Sequence, residues 1–283
     1  MQSSQRWARV AVVVMVTTAT LAVGQTRKEF RFTVEPRSNI SVTNRYGSIS
    51  VKPAAGNQVV VTATLQSGKV EVDHNQSGNR IELVSHLLPG ATAENSRVDY
   101  ELTVPADASV SLQSTTGPLH AEGLSGDVVA EGAAANVDVR DVSNAHVHIK
   151  TLNGPITLTN INDGHVEITS VSGEVFLNDV NGPFVDVNSS SGAIHYDGDF
   201  GFGGEYILRS YSGNILATAP VYASIDVIAR SVKGQVENDF PLHPKTHSSF
   251  PIDTMRSLVG TAGKAASSVK LLSFSGKIHL KKR

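Results

Sequence analysis

Histidine and carboxylate side chains recur at one fixed spacing in the middle of this 283-residue chain. His148, Glu167 and Asp186 follow one another at a constant interval of about 19 residues, and His146 and His165 share that interval. If the chain repeats with this period, the members of each set become neighbours about 5 Å apart on adjacent strands. Imidazole nitrogens and carboxylate oxygens at that separation are ligands that zinc accepts, so these five residues form a candidate metal site.

A solvated row of charged side chains explains the same spacing, and this is the interpretation that we favour. The residue that follows His146 and His165 at this interval is Phe184, which binds no metal. An acid–base pair would also need a cleft that shifts its pKa values, and a regular sheet face offers none. The sequence therefore predicts no catalytic residue, no metal and no cofactor, and hence a protein that is not an enzyme.

Aromatic side chains supply a second kind of candidate, a contact surface. The four aromatic candidates are Phe184, Phe200, Phe202 and Tyr211. Phe200 and Phe202 fall where the repeat described below becomes slightly longer, so we expect a protruding loop there. Rings on such a loop would suit an apolar partner surface or a sugar.

One recurring pattern predicts the elements that position these side chains: a small polar residue, a glycine, any residue, then an aliphatic one. Its glycines are Gly117, Gly154, Gly173, Gly192, Gly213, Gly234 and Gly276. Their spacing is about 19 residues from Gly154 to Gly192 and about 21 residues from Gly192 to Gly234. The longer gap after Gly117 has room for two repeats, with Ala135-Asn136-Val137 at the missing turn. A period near twenty that is held this long indicates a repeat architecture.

Within each repeat, aliphatic and polar residues alternate over four or five positions, as in Val166-Glu167-Ile168. Such alternation between turn residues predicts two short, half-buried strands per repeat. Stacking the repeats about 4.8 Å apart aligns equivalent residues in buried columns. The predicted columns are Val147, Val166, Val185, Tyr206, Val227 and Val269, and Ile156, Val175, Ile194, Ile215, Val236 and Ile278. We expect each glycine to form a corner with positive φ.

The predicted fold is therefore all-β, a single-stranded β-solenoid with rungs of about 19–21 residues and an N-terminal β-sheet cap. Residues 25–113 are expected to form the N-terminal strands, the cap and the first rungs. Residues 114–283 are expected to form the remaining rungs, with an excursion at 241–261 that contains three prolines. A cap is expected because a terminal rung would otherwise expose a strand edge.

The first 24 residues have the pattern of a secretory signal peptide. Arg6 and Arg9 form a basic start, residues 10–23 are apolar, and small residues precede Gln25. The apolar run is shorter than the roughly 20 residues that a spanning helix needs. We expect cleavage after Gly24 and an exported protein of the periplasm, cell envelope or medium, without a transmembrane span in the mature chain.

The charge balance and the lack of cysteine restrict the partners. Without Arg6 and Arg9 the chain has 22 Lys and Arg against 26 Asp and Glu, a net charge of −4. That balance gives no electrostatic basis for binding nucleic acid. Cysteine is absent, so neither disulfides nor thiol chemistry contribute.

Several segments also resemble a known family. They are Tyr46–Val51 (YGSISV), Val98–Asp107 (VDYELTVPAD), Gly260–Lys264 and the last turn Ser275–Ile278, in this order. The order and the Tyr-Glu-Leu-Thr-Val-Pro-Ala-Asp run are similar to the bacterial putative adhesin family, a domain of unknown function in exported or envelope proteins. The resemblance implies a β-solenoid and adhesion. It implies no particular ligand, catalytic residue or binding residue.

The function that follows is a noncatalytic, exported adhesin or scaffold, with a cell-surface glycan or an envelope protein as the candidate partner. The alternative is a carbohydrate-binding or carbohydrate-active β-helix protein. A third hypothesis is self-association through an uncapped final rung near Ile278–Leu280, which Lys281-Lys282-Arg283 would oppose.

Overall fold

The computed structural model describes residues 25–201, 203–245 and 255–283. Within these ranges all regular structure is β-strand, which confirms the predicted all-β class. The expected signal peptide with its cleavage site after Gly24 lies outside the described residues. Phe202 and residues 246–254 of the expected excursion also lie outside the described residues.

The described residues contain twenty-five strands, which are joined mostly by short turns. In chain order they are β1 (Thr26–Thr33), β2 (Asn39–Tyr46), β3 (Ile49–Ala54), β4 (Gln58–Leu65), β5 (Val70–Ser77), β6 (Arg80–Leu87), β7 (Val98–Pro105), β8 (Ser109–Thr116), β9 (Leu119–Glu122), β10 (Val128–Ala134), β11 (Val137–Ser143), β12 (His146–Thr151), β13 (Ile156–Asn162), β14 (His165–Ser170), β15 (Val175–Val180), β16 (Phe184–Ser189), β17 (Ile194–Asp197), β18 (Glu205–Ser210), β19 (Ile215–Ala219), β20 (Ile225–Ser231), β21 (Val236–Asn238), β22 (His243–Pro244), β23 (Ser257–Ala262), β24 (Ser267–Ser273) and β25 (Ile278–Lys282).

The strands form two sheets around one hydrophobic core. The first sheet has the order β1-β4-β7-β3-β9-β11-β13-β15-β17-β19-β25-β21, and the second has the order β22-β23-β20-β24-β18-β16-β14-β12-β10-β8-β2-β6-β5. Each rung contributes one strand to each sheet, and successive rungs pair in parallel. Buried side chains from Phe30 to Leu280 form one cluster. The predicted β-solenoid is confirmed.

In the middle of the stack the register is the predicted one. Val147, Val166 and Val185 are direct neighbours and are almost completely buried. Ile156 and Val175 are neighbours in the other sheet and are equally buried. Polar residues between them face outward, because side chains alternate across a strand. Val137 begins β11 and pairs with both neighbouring rungs, so the missing turn is filled as expected.

The glycine corner, which joins the second-sheet strand of a rung to its first-sheet strand, works differently from our expectation. Gly117 has positive φ, at 120°, as predicted, and so does Gly47 before β3, at 108°, which the predicted set did not include. The prediction is wrong for the pattern glycines from Gly154 onward, which do not. A Cβ on Gly173 would instead collide with the carbonyl oxygen of Gly154 on the adjacent rung. Glycine is required there because the two backbones approach too closely for any side chain.

The second corner, which leads to the next rung, carries the positive-φ residues of the middle rungs. They are Asp141, Asn144, Asn160, Asp163 and Asp179. Asn and Asp enter this conformation more readily than other residues with a Cβ. The second corner is also where the repeat becomes longer, because the segment between β17 and β18 is extended relative to its counterparts.

The N-terminal end has an antiparallel cap, as predicted. β1 and β4 pair antiparallel in the first sheet, and the β5–β6 hairpin closes the second. The chain order is not followed here. The rung of β2 and β3 lies between the rung of β6 and β7 and that of β8 and β9.

The C-terminal end departs from chain order in the same way. β24 lies between β18 and β20, and β25 lies between β19 and β21. Val269 therefore precedes Val227 in its column, and Ile278 precedes Val236. The hypothesis of an uncapped rung at Ile278–Leu280 is wrong, because β25 is paired on both sides.

The end of the expected excursion is an antiparallel cover. β23 pairs antiparallel with β20 and closes the second sheet together with the short β22. Among the described residues, no helix is long and apolar enough to cross a membrane.

Candidate functional site

A row of buried hydroxyl groups holds the glycine corner in place. The residue three positions before the corner glycine is Ser114, Thr151, Ser170, Ser189, Ser210, Ser273 or Ser231, and each is buried. Ser170 donates to the carbonyl oxygen of Gly173 at 3.0 Å, and Ser189 donates to that of Gly192 at 2.9 Å. This row was not predicted, although the spacing Ser-x-x-Gly is visible in the sequence. These hydroxyls satisfy the corner backbone and are not exposed nucleophiles.

The side chains on either side of this buried row point outward and enclose a groove that runs along the solenoid. Its inner wall consists of Lys150, Thr169, Asn188, Arg209, Leu272 and Arg230, in stacking order. Its edge consists of Leu152, Val171, Ser190, Tyr211, Phe274 and Val232, also in stacking order. We call these two columns the corner groove. Its members sit at equivalent positions of successive rungs, so the groove is a product of the repeat.

The edge of the corner groove is apolar except at Ser190, and most of it is exposed. Leu152, Val171, Tyr211 and Val232 expose between 42% and 63% of their surface. An apolar line of this kind is unusual on a protein surface, where large apolar side chains tend to occur singly. Its regular arrangement favours contact with a partner.

Tyr211 and Phe274 form an aromatic stack in this edge, in which Tyr211 is exposed and Phe274 is half-buried. Their ring centroids are 4.8 Å apart and the rings are within 7° of parallel. Lys233 places its Nζ 4.8 Å from the centre of the Phe274 ring. Tyr211 was a predicted contact residue but Phe274 was not, since the two lie far apart in the chain and only the inserted rung brings them together.

The other aromatic candidates lie elsewhere. Phe200 is fully buried and stacks on Tyr196 with ring centroids 4.2 Å apart, so it cannot be part of a contact surface. At Phe200, therefore, the longer second corner is directed into the core. Phe184 is half-buried, and its ring lies 4.7 Å from that of His165.

The buried ring of Phe200 belongs to a small aromatic cluster with two tyrosines. The Tyr196 hydroxyl accepts a hydrogen bond from the Phe200 backbone N–H and donates one to the carbonyl oxygen of Val180. Burial raises the pKa of Tyr206 to about 12 and that of Tyr196 well above its usual value. Both phenols therefore stay neutral and act as structural groups at physiological pH.

The histidine and carboxylate columns have the predicted register. His148, Glu167 and Asp186 are successive neighbours, and so are His146, His165 and Phe184. Glu167 contacts both His148 Nδ1 and His165 Nε2 at 3.3 Å. In the ranges that the structure describes, no three His or carboxylate side chains are grouped so as to hold a metal ion.

Asp186 at the end of the column forms an ion pair with Arg209, a residue of the corner groove. Its Oδ2 pairs with Arg209 Nη2 at 3.2 Å, and its Oδ1 is buried without a hydrogen-bond partner. Burial raises the pKa of this carboxyl, and the Arg209 charge opposes the shift. Asp186 therefore orients the Arg209 side chain on the inner wall of the groove.

Comparisons with known proteins agree with this architecture. The family model described as Toastrack DUF4097 matches residues 37–281, which confirms the resemblance seen in the sequence. No curated protein matches the chain.

Three solved structures with distant similarity carry adhesion names. A putative adhesin from Bacteroides fragilis is 14% identical, covers 91% of this chain and 97% of its own, and has a TM-score of 0.38. A putative adhesin from Parabacteroides distasonis is 11% identical with the same coverage and the same TM-score. A putative cell adhesion protein from Clostridium sporogenes is 14% identical, covers 91% and 100%, and has a TM-score of 0.28. Similarities this distant do not indicate what this chain binds. From its fold, its register and the family match, this chain belongs to the Toastrack DUF4097 family.

Proposed function

We propose that this protein is an exported, noncatalytic adhesion or scaffold protein of the cell envelope, and that it acts through the corner groove. The observation that carries the proposal is the line of exposed apolar side chains along one edge of a rigid stack. Lateral contacts of rung on rung hold these side chains at fixed spacing, so little freedom is lost when a partner binds. Export is part of the proposal and follows from the N-terminal sequence pattern.

The alternative function is carbohydrate binding, and one observation favours it. The Tyr211–Phe274 stack lies beside Arg209, which combines an apolar ring surface with a hydrogen-bond donor. Sugars present both an apolar face and hydroxyl groups, so this pair of features suits them. The two functions are compatible, since an adhesin can recognise a surface glycan.

A cell-binding assay tests the proposal. The full chain is labelled, and its saturable binding to bacterial and host cells is measured. In one variant Leu152→Asp and Val171→Asp place charges in the edge of the groove. In the control variant Val221→Asp and Tyr222→Asp change apolar residues that are more exposed than Leu152 and Val171 but lie in the turn between β19 and β20, outside the groove.

We expect the groove variant to bind cells at least about tenfold more weakly, because charges in an apolar contact must be desolvated. The control variant should bind as the parent does. Absence of saturable binding, or equal loss in both variants, would contradict the proposal. Turnover of a polysaccharide by the parent protein would contradict its noncatalytic part.

A further inference from the structure

The corner groove changes in character toward its C-terminal end. Its last four rungs contribute Asn188, Arg209, Leu272 and Arg230 on the inner wall and Ser190, Tyr211, Phe274 and Val232 at the edge. These eight positions include two arginines and no carboxylate. They enclose an open volume of about 560 Å³, which is the size of a site for an extended small molecule or a chain segment.

Ser190 creates a notch in the otherwise bulky edge. Val171 lies on one side of it along the stack and Tyr211 on the other. Phe274 covers one face of the Tyr211 ring, so the opposite face is directed toward the short Ser190 side chain. Tyr211 is 63% exposed. A flat, partly apolar ring can therefore enter the notch and stack on Tyr211.

Cationic groups surround this aromatic surface. Arg209 is fixed by its ion pair with Asp186. Arg230 is exposed two rungs farther along the inner wall, about 10 Å from Arg209, and forms no ion pair within the described ranges. Lys233 lies over Phe274, and Arg256 donates to the carbonyl oxygen of Val232. An arginine fork matches the geometry of a carboxylate.

Building on the proposed function, we propose that this segment of the corner groove binds a carboxylate-bearing polysaccharide. One sugar ring occupies the Ser190 notch against Tyr211, and carboxylates along the chain pair with Arg209 and Arg230. The groove follows the solenoid axis, so an extended polysaccharide can place successive residues beside successive rungs. Charge complementarity favours an acidic glycan over a neutral one because the wall and its surroundings are cationic.

Binding of soluble oligosaccharides tests this site. The full chain is titrated calorimetrically with oligogalacturonate and alginate oligomers, with neutral dextran oligomers and with polyglutamate, an anion without sugar rings. Ser190→Leu fills the notch with a side chain that Leu152 shows to be tolerated in this column. Thr115→Leu, at the equivalent exposed edge position of the β8 rung, is its matched control. Arg230→Gln removes a cation, and Arg27→Gln, at an exposed position of β1 outside the groove, is its control.

We expect the parent to bind at least one acidic oligosaccharide and to bind dextran and polyglutamate at least about tenfold more weakly. Ser190→Leu should weaken binding of the acidic oligosaccharide at least about tenfold, and Arg230→Gln should weaken it severalfold. Both controls should bind as the parent does. Thermal unfolding identical to the parent verifies that each variant is folded.

Three outcomes would overturn the inference. The first is that the parent binds neither acidic oligosaccharide. The second is that polyglutamate binds as tightly as the acidic oligosaccharides, and the third is that the Ser190→Leu variant binds as the parent does. If cell binding is still lost in the Leu152→Asp and Val171→Asp variant, the adhesion proposal stands and this site alone is wrong. If cell binding is absent in the parent as well, both proposals fall.

Discussion

The middle of this solenoid and its two ends differ in whether the rungs stack in the order in which they occur in the chain. From β10 to β19 each rung stacks on the one before it in the chain, held by glycine corners and a buried hydroxyl row. At each end, the rung nearest the chain terminus is placed inside the stack. The β2–β3 rung is covered by the later β6–β7 rung, and the β24–β25 rung is covered by the earlier β20–β21 rung.

This difference shows how a repeat protein protects the strands near its chain termini. A terminal rung in a simple stack exposes one strand edge, which invites pairing with other chains. Here both terminal rungs have neighbours on each side. Antiparallel strands follow at three of the four sheet ends, as β1 and β4, β5, and β23 with β22, while β21 is the last described strand at the fourth. Stability near the ends therefore depends on pairings between segments distant in the chain.

Removing the last rung should have the largest effect. A chain that ends at Ala266 lacks β24 and β25 and with them the buried side chains of Val269, Leu271, Ile278 and Leu280. At about 2 kcal/mol for each buried side chain, the loss approaches the total stability of a domain, about 5–15 kcal/mol. We expect no cooperative thermal unfolding by circular dichroism. A variant that lacks only Arg283 should unfold as the parent does, and a truncated chain that unfolds cooperatively near the parent's midpoint would show the ends to be ordinary terminal rungs.

A methyl group at a glycine corner should destabilise the middle of the solenoid, with an effect second only to removal of the last rung. Gly173→Ala places a Cβ against the carbonyl oxygen of Gly154, and the rungs must separate locally. We expect the free energy of unfolding in urea to fall by about 3 kcal/mol. Gly68→Ala, in the turn between β4 and β5 where a Cβ meets no atom within 4 Å, should change it by less than about 0.5 kcal/mol. Equal effects at the two glycines would mean that close stacking does not fix the register.

A smaller, pH-dependent effect is expected at the N-terminal end. Asp99 of β7 accepts hydrogen bonds from the Ser48 backbone N–H at 2.8 Å and from the Ser48 hydroxyl at 2.7 Å, and so connects two rungs. Burial acts to raise the pKa of Asp99, but hydrogen bonds from Arg97 and Ser48 outweigh it and lower the pKa below its ordinary value of 3.8. The stabilisation is then fully present above pH 3.8 and is lost as pH falls through the folded-state pKa.

Asp99→Asn should therefore be less stable than the parent at neutral pH, by about 1 kcal/mol. The difference should shrink as the pH is lowered below 3.8. Urea unfolding of both proteins between pH 2.5 and pH 7 measures it. A difference that stays constant over this range would show that the Asp99 charge is not the cause.

The sequence allowed the columns of the core to be predicted, but not the order of the rungs. Ile278 and Val236 both follow a glycine by two positions, so either fits next to Ile215. Alternation and spacing describe what a rung looks like. The choice of neighbour depends on which pair of rungs packs better across the whole stack, and no local pattern contains that information.

The candidate site was predictable only in part, for similar reasons. Tyr211 is recognisable as an aromatic residue at a corner. Its partner Phe274 belongs to the inserted rung, whose position in the stack could not be predicted. Phe200 was expected on a protruding loop because the repeat becomes longer there, yet the longer corner made room for its ring beside Tyr196. The positions of the histidine and carboxylate columns followed from the constant period alone.

Engineered cysteines test the order of the rungs most directly, since the chain has no cysteine of its own. His279 is the neighbour of both Leu216 and Glu237, while Leu216 and Glu237 are two rungs, or about 10 Å, apart. The three possible double-cysteine variants are oxidised and analysed by mass spectrometry. We predict disulfides between positions 216 and 279 and between positions 237 and 279. We predict none between positions 216 and 237, because their Cα atoms lie farther apart than the roughly 4.4–6.8 Å that a disulfide spans. A disulfide between positions 216 and 237 would contradict the inserted rung.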